Sequence, residues 1–282
     1  MKVRKPAAPH FYAGDCAHAT RQFLEGFTPP EEPAHVVAGI VPHAGWQYSG
    51  AVAAKIFESI RRKQAPDTFV IFGAVHRWSG SKNALCAEGA WATPLGEVSV
   101  DEELASRILE AMPEWAADDP AAHTGEHAIE VQLPFLKCLF PEAKFVPISV
   151  NPEPDAALFG ERVGQILKRY PRCTVVIGST DLTHYGDAYR FVPAGYGARA
   201  QQWVRENDRR IVRLAERMEA SEIVPEAIAR SNACGPGAMA ATVAAAEAMG
   251  ARRGVLVEYK TSFDSAPEPE FRMAVGYAGL LF

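Results

Sequence analysis

Histidine follows buried apolar runs at two points of the chain, and a cysteine precedes a glycine-marked helix start. His43 lies near the end of HVVAGIVPHAG, His76 ends TFVIFGAVH, and Cys234 lies in SNACGPGAMAA. In an open α/β sheet, the carboxyl ends of parallel strands line the crevice where ligands bind. Imidazole and thiolate are ligands that iron, copper and zinc accept. The sequence therefore predicts a transition-metal site of His43, His76 and Cys234, assembled by the fold because these residues are far apart in sequence.

Cys234 is the cysteine whose sequence setting favours reactivity. It precedes Gly235, Pro236 and Gly237, which open a long alanine-rich helix. The positive end of a helix dipole lowers the pKa of a nearby thiol, and thiolate is the form that binds a metal. We expect Cys234 to be a thiolate ligand.

The segment STDLTHYGD places polar groups directly after the apolar run CTVVIG. A carboxylate close to an imidazole raises its basicity and can fix its tautomer. His184 is therefore a candidate acid/base, with Asp181 as its orienting partner or as an outer metal ligand. The alternative is an Asp181 that caps a helix next to a surface histidine. For His43 the alternative is an imidazole held only by backbone hydrogen bonds.

The segment GEHAIEVQLPFL is predicted to begin an amphipathic helix that continues through KCLFP, with a kink or early break at Pro134. Glu126 and Glu130 would then share one face of the first turns, where acidic residues also suit the helix dipole. His127 lies at the junction between loop and helix. We interpret it as a hydrogen-bond donor to bound substrate or as a proton carrier.

The elements that must position these residues alternate between strand and helix. A strand, an amphipathic helix and a second strand follow one another between residues 35 and 76, which is the βαβ rhythm of a parallel sheet. TPLGEV is a hairpin candidate, and two strands, RGVLVEYKTS and RMAVGYAGLLF, are predicted at the end of the sequence. We predict the α/β class: a single domain over residues 1–282, with a central, mostly parallel sheet flanked by helices.

Composition narrows the classes of function. Of the 282 residues, 48% are hydrophobic and 22% charged, and the formal net charge of −5 argues against a nucleic-acid partner. No apolar stretch approaches the roughly 20 residues that span a bilayer, and no signal peptide is recognisable. Five scattered cysteines are an odd number in a chain too large to need disulfides. We expect free thiols, a cytoplasmic location and no membrane partner.

Taken in order, several motifs resemble those of the Memo family. They are PHAGWQYSG, GAVHRW, WATPLGEV, GEHAIEVQLPFL, STDLTHYG, NACGPGAM and GYAGLLF. The family is similar in fold to class III extradiol dioxygenases, which hold Fe(II) with two histidines and a carboxylate. The resemblance implies that His43 and His76 are the two imidazole ligands and that Cys234 stands where those enzymes have Glu. It also implies that His127 and His184 match their non-ligand histidines beside the substrate.

The resemblance further implies a pathway shared with AMMECR-type and radical SAM proteins. The resulting hypothesis is a metal-dependent redox protein that activates oxygen on a small phenolic or aromatic substrate, with Fe(II) favoured and copper or zinc as alternatives. A thiolate ligand is oxidisable, which argues against ring cleavage. A second hypothesis is a non-catalytic protein that holds a metal or peptide in a cleft that corresponds to the active site of the dioxygenases. A third is a zinc hydrolase, because Zn²⁺ accepts two histidines and a cysteine and leaves room for water.

Overall fold

The structure is a computed structural model that describes residues 2–77, Gly80 and residues 82–282. Trp78, which ends the GAVHRW motif, lies outside the described residues. The strands, numbered in chain order, are β1 (Val3–Arg4), β2 (Ala38–Val41), β3 (Thr68–Gly73), β4 (Asn83–Leu85), β5 (Ala90–Thr93), β6 (Gly96–Ser99), β7 (Ala116–Asp118), β8 (Lys144–Ser149), β9 (Thr174–Ser179), β10 (His184–Tyr185), β11 (Val255–Thr261) and β12 (Ala274–Leu281). The α-helices are α1 (Cys16–Phe23), α2 (Trp46–Lys63), α3 (Glu102–Ala111), α4 (Leu133–Leu139), α5 (Ala156–Leu167), α6 (Ala198–Glu216), α7 (Ala220–Arg230), α8 (Pro236–Met249) and α9 (Ser262–Ser265).

A mixed sheet forms the centre of the molecule. Within the described part of the chain it has nine strands, in the order β10-β12-β2-β9-β3-β8-β4-β7, with β11 paired to the outer side of β12. Strands β2, β9, β3 and β8 are parallel neighbours, as predicted. Antiparallel pairs extend the sheet through β12 on one side and β4 on the other. The predicted α/β class is confirmed, and its parallel part is the part that carries the site.

Helices cover both faces of this sheet. Gly39 in β2 lies against Ile56 of α2, whereas Gly178, the register partner of Ile40, lies against Thr242 of α8. Successive residues of a strand point to opposite faces. Helices α2 and α8 therefore pack on opposite faces, and glycine is needed at both contacts because a Cβ would clash with the helix.

The candidate site lies at the carboxyl edge of the parallel strands. Val41 at the end of β2 and Gly73 at the end of β3 both pair with Ser179 at the end of β9. The loops that follow these strands carry the first predicted site residues, so they emerge side by side. Helix α8 begins at the same edge, because Gly235 packs against Ser179 and Ala74. This arrangement brings the segment that holds Cys234 to the strand ends.

The predicted TPLGEV hairpin is present. Strands β5 and β6 pair antiparallel with Thr93 opposite Gly96, and β1 adds to β5 in a small separate sheet. This small sheet anchors the beginning of the chain. The residues after β1 continue as an arm that reaches the candidate site.

The helix predicted from Glu126 onward is wrong in its first half. Residues 126 and 127 have no regular secondary structure, residues 128 and 129 form a turn, a 3-10 turn covers Glu130–Gln132, and α4 begins only at Leu133. The reason is that the Glu126 carboxylate accepts the backbone N–H groups of His127 and Ala128, which stabilises a tight turn in place of a helix. Pro134 lies in the first turn of α4, where its missing N–H costs nothing, so it starts the helix rather than kinking it.

Among the helices of the described ranges, none has the length and apolar character needed to cross a membrane. All five cysteines lie in described ranges and are free thiols, as predicted.

Candidate metal centre

His43 is buried, and its hydrogen bonds define its tautomer. The Ser179 hydroxyl donates to the Ala128 carbonyl at 2.6 Å, so its oxygen must accept from the His43 Nδ1, 3.1 Å away. The side chain of Gln132 donates to the same hydroxyl oxygen. With the proton on Nδ1, the Nε2 atom of His43 carries the free lone pair. This is the form in which an imidazole binds a metal.

His76 is held in the same tautomer by a different acceptor. Its Nδ1 lies 2.9 Å from the Glu126 Oε1, and its backbone N–H donates to Oε2 of the same carboxylate at 3.0 Å. Burial opposes protonation of His76, but the hydrogen bond to Glu126 raises its pKa overall. The same contact outweighs burial at Glu126 and lowers the pKa of that carboxyl. Glu126 thus orients His76 and leaves its Nε2 free.

Cys234 lies where predicted, directly before Gly235, the N-cap of α8, but the predicted thiolate is wrong for the metal-free protein. Burial, reinforced by the nearby Asp181 carboxylate, raises the pKa of the Cys234 thiol and outweighs the helix dipole. The Sγ lies 3.2 Å from the His43 Nε2, so the thiol donates to that lone pair. A divalent cation between these atoms would displace the proton, because coordination deprotonates a thiol.

The three donors meet in one place. One nitrogen from each of His43 and His76 and the Sγ of Cys234 lie within 4.8 Å of one another. Metal–nitrogen bonds of about 2.0 Å and metal–sulfur bonds of about 2.3 Å allow ligand atoms separated by roughly 3–4 Å. The donor set and the tautomers of both imidazoles fit a transition-metal ion.

A second group of donors, His76, Glu126 and His127, also lies within 4.8 Å, but the Glu126 carboxylate already accepts hydrogen bonds from three backbone N–H groups.

His127 lies beside the three donors rather than among them. Its ring stacks on His76 with centroids 4.7 Å apart and an interplanar angle of 18°, and meets His43 edge to face at 5.3 Å. Burial, and then the charge of a protonated His76, lower the pKa of His127 to about 4. The ring is therefore neutral near pH 7, with one N–H to donate. This agrees with the predicted hydrogen-bonding position, while its role toward a substrate stays a prediction.

Asp181 and His184 both line the site, but they are not partners of each other. The Asp181 Oδ1 accepts the His43 backbone N–H at 2.7 Å, and the Asp181 backbone N–H donates to Cys234 Sγ at 3.3 Å. His184 instead directs its Nδ1 to the Leu182 carbonyl at 3.0 Å. The predicted orienting contact from Asp181 to His184 is therefore wrong, because the turn after β9 points the carboxylate back toward His43. Burial raises the pKa of Asp181 to about 7.

A cavity of ≈ 490 Å³ opens in front of the donors. His43, His76, His127, Asp181 and His184 all line it. Its remaining wall includes the aromatic side chains of Phe11, Tyr48, Tyr189, Phe263 and Tyr277 beside aliphatic and polar residues. Among the described residues that line it, there is no lysine or arginine. Burial also lowers the pKa values of His43 and His184, so these two imidazoles are neutral, whereas His76 has a raised pKa and pairs any positive charge with Glu126.

Sequence reasoning missed several residues of this site. The tyrosines come from three distant places, of which Tyr277 lies in β12 and Tyr48 in α2, and each reads as an ordinary core residue in its own segment. Phe11 belongs to an arm with no regular pattern. Glu126 and Ser179 are recognisable in the sequence as polar residues, but the spacing does not indicate that their partners are His76 and His43. A signal was present for Ser179 alone, as a hydroxyl at the end of a fully apolar strand.

Comparison with known proteins places these residues in a family context. The sequence model of the Memo-like protein family matches residues 4–281. A MEMO1 family protein of Thermococcus onnurineus is 35% identical, with 99% of each chain covered. One from Methanopyrus kandleri is 36% identical over 86% of this chain and 82% of its own. One from Pyrococcus furiosus is 33% identical over 100% of this chain and 99% of its own.

Proposed function

The chain belongs to the Memo-like protein family, and on that premise we propose that it is a metal-dependent redox protein acting on a small aromatic or phenolic molecule. One observation carries the proposal: two imidazole nitrogens and a thiol sulfur converge within 4.8 Å, and both imidazoles line a cavity whose wall includes five Phe and Tyr side chains. His43, His76 and Cys234 would hold the ion. Iron is the favoured metal, with copper next, because a mixed imidazole and thiolate set suits both.

When bound, the metal would supply one-electron chemistry with oxygen, and the protein would supply binding and proton transfer. The Nδ1–H of His184 is committed to the Leu182 carbonyl, so its Nε2 is a free base in the cavity. A phenolic hydroxyl that reaches this nitrogen can donate its proton to it. His127, neutral and stacked on His76, can donate a hydrogen bond to the resulting oxyanion.

The cavity wall supports an uncharged aromatic substrate. Phe11 and Tyr189 offer ring faces and edges, and ring pairs are favourable in offset or edge-to-face geometry. Asp181 and Glu268 are the acidic groups on the wall, and in their ionised forms they disfavour a phosphate or carboxylate on the ligand. A volume of ≈ 490 Å³ accommodates a molecule of one or two rings.

The first test is the metal itself. Protein purified without added metal is analysed for iron, copper and zinc, and the metal-free protein is titrated with Fe(II) under argon. We expect close to one iron per chain in the wild type and a large loss in His43→Ala, with the surface variant His18→Ala as the matched control. Equal and negligible binding in all three proteins would overturn the metal site.

The second test addresses redox activity. The iron-loaded protein is supplied with catechols and simple phenols while oxygen uptake is recorded, with His184→Ala compared against His18→Ala. We expect uptake in the wild type and a loss of about 10²–10⁴-fold in His184→Ala, which is the range for removing a general base. Metal binding without uptake on any phenol would favour the non-catalytic binding protein. Zinc in the purified protein, with hydrolysis of an activated ester in place of uptake, would favour the hydrolase.

A further inference from the structure

Both predicted imidazole ligands are oriented by one short segment, residues 126–132, which we call the anchor turn. Glu126 accepts the Nδ1–H of His76 through its carboxylate. The Ala128 carbonyl accepts from Ser179, whose hydroxyl oxygen accepts the Nδ1–H of His43. The position of the anchor turn therefore sets the direction of the free Nε2 of both rings.

Apart from the 3-10 turn Glu130–Gln132, the anchor turn is irregular, and the N-terminal arm, residues 2–12, binds it through Glu130. The buried Glu130 carboxylate accepts four hydrogen bonds from this arm. The donors are the Arg4 guanidinium at 2.8 Å, the backbone N–H groups of Ala7 and Ala8 at 2.7 and 2.9 Å, and the Tyr12 hydroxyl at 3.1 Å. A carboxylate with this many donors is strongly fixed in place.

Arg4 connects both ends of the anchor turn. While Nη1 binds Glu130, Nη2 donates to the Glu126 carbonyl at 2.7 Å and to the His123 carbonyl at 2.9 Å, and Nε donates to the latter at 3.1 Å. The guanidinium also lies 4.1 Å from the centre of the Trp91 ring. Only a planar, forked cation can make these contacts together, so lysine is not equivalent here.

The same arm then continues into the cavity. Between Ala8 and Tyr12, which both bind Glu130, Phe11 meets His127 edge to face with ring centroids 4.8 Å apart, and His10 lies beside it. The contact at Glu130 and the cavity wall thus belong to one continuous stretch of chain. A shift of the arm would move the wall and the anchor turn together.

We propose that Arg4 and Glu130 are positioning residues of the metal centre, acting as a clamp through which the N-terminal arm orients His43 and His76. Neither residue touches the donor atoms. The clamp acts through Glu126 on one imidazole and through Ala128 and Ser179 on the other. In its effect on metal binding the proposal rests on the proposed function, but its effect on the imidazoles exists in the metal-free protein.

The test uses ¹⁵N NMR of the histidine rings in the metal-free full chain, followed by metal titration. In the wild type, at a pH high enough for His76 to be neutral, we expect His43 and His76 to carry their protons on Nδ1. In Arg4→Gln, we expect both rings to lose that single tautomer, and the dissociation constant for Fe(II) to rise about 10–100-fold, as is usual when the partners of metal ligands are lost. Arg61→Gln is the matched control, because Arg61 also makes a forked pair with a buried glutamate, Glu58, on α2.

A purely structural role predicts something else, namely that Arg4→Gln and Arg61→Gln lower the melting temperature while both tautomers stay unchanged. That result would overturn the clamp. If Arg4→Gln does not fold, the milder Arg4→Lys variant is measured in the same way, with the same two outcomes. Tautomers that depend on Arg4 in a protein that binds no metal would support the clamp and refute the metal-binding function. If both tautomers are unchanged in Arg4→Gln and the wild type binds metal normally, the clamp is refuted and the metal-binding function is supported.

Discussion

At the scale of single residues, the candidate centre is defined by which atom of each side chain is left free. Hydrogen bonds occupy the Nδ1 of His43, His76 and His184, and the Nε2 of His43 accepts only the proton of the Cys234 thiol. Cys234 differs, because it is held as a neutral thiol until a cation replaces its proton. The site therefore combines two imidazoles that are already oriented to bind a metal ion with one thiol that becomes a ligand only when the ion displaces its proton.

Replacing Cys234 with serine tests the third ligand. The hydroxyl keeps nearly the same size but is a poor ligand for iron or copper, so we expect the dissociation constant for Fe(II) or Cu(I) to rise by at least about 100-fold, the upper end of what loss of an outer partner costs. Anaerobic titration with spectroscopic detection measures it. Cys173→Ser, a half-buried thiol elsewhere, is the control. Wild-type affinity in Cys234→Ser would remove sulfur from the site.

Ser179→Ala tests the hydrogen bond that orients His43. Its loss leaves Nδ1 of His43 without its acceptor and also removes a partner of Gln132, so we expect metal affinity to fall about 10-fold. Ser59→Ala is the matched control, since Ser59 is a buried hydroxyl bonded to a backbone carbonyl in α2. Isothermal titration of both variants with Fe(II) under argon gives the comparison. An equal, small effect in the two would mean that Ser179 does not orient the ligand.

At the scale of elements, the position of Cys234 depends on how closely α8 packs against α5 and the sheet. Gly160 and Gly164 of α5 lie directly against the backbone of Ala241 and Ala245 in α8. At the start of the helix, Gly237 touches the Asn151 carbonyl. No Cβ fits at these places, so helix α8 lies deep enough for its N-terminus to reach the strand ends.

Gly160→Ala is expected to disturb this packing. The added methyl group would overlap the Ala241 backbone, which cannot move like a flexible side chain, so we expect the free energy of unfolding to fall by about 3 kcal/mol. Urea denaturation followed by circular dichroism measures it. Gly14→Ala, which meets nothing within 4 Å, should change stability by less than about 0.5 kcal/mol. Equal stability of the two variants would contradict the proposed tight contact.

The sequence predicted those parts of the site that follow from local pattern. An apolar run that stops at His43 or His76 indicates a strand end, and neighbouring parallel strand ends must meet. Local pattern failed where a distant group decides the outcome. The spacing of apolar residues after Glu126 is helical. The Glu126 carboxylate nevertheless stabilises a turn by accepting the N–H groups of His127 and Ala128, and it binds His76, fifty residues earlier in the chain. The thiolate prediction failed likewise, because the helix dipole is visible in sequence whereas burial of Cys234 is not.

At the scale of the whole molecule, a second buried polar network links α6 to β11 and to the segment before β10. Asp208 in α6 is fully buried; it accepts the Thr183 backbone N–H at 2.9 Å and the Tyr259 hydroxyl at 2.7 Å. Asn207 beside it donates to the Thr183 hydroxyl and to the Arg230 carbonyl. This network joins β11, α6 and the segment before β10, so the ionisation of Asp208 bears on the stability of the fold.

Stability should therefore rise on mild acidification through Asp208. Burial raises the pKa of Asp208 from 3.8 to about 6. A carboxyl with a raised pKa binds its proton more tightly in the folded state, so its stabilising contribution is complete below about pH 4 and is lost as the pH rises through about 6. A shift of about 2 pKa units corresponds to roughly 3 kcal/mol between those limits.

Asp208→Asn isolates this contribution, because the amide accepts from Thr183 and donates to Tyr259 at every pH. Chemical denaturation at several values between pH 4.5 and 7 gives the free energy of unfolding of each protein. We expect the wild type to lose stability relative to Asp208→Asn as the pH rises through 6, since other titrating groups are common to both and cancel in the difference. Asp187→Asn, at an exposed position, is the control for which we expect no such difference from the wild type in the free energy of unfolding. If the free energy of unfolding of Asp208→Asn also changes with pH in parallel to that of the wild type, the Asp208 carboxyl ionises at no cost in stability. The hydrogen bonds of the network would then compensate for its burial.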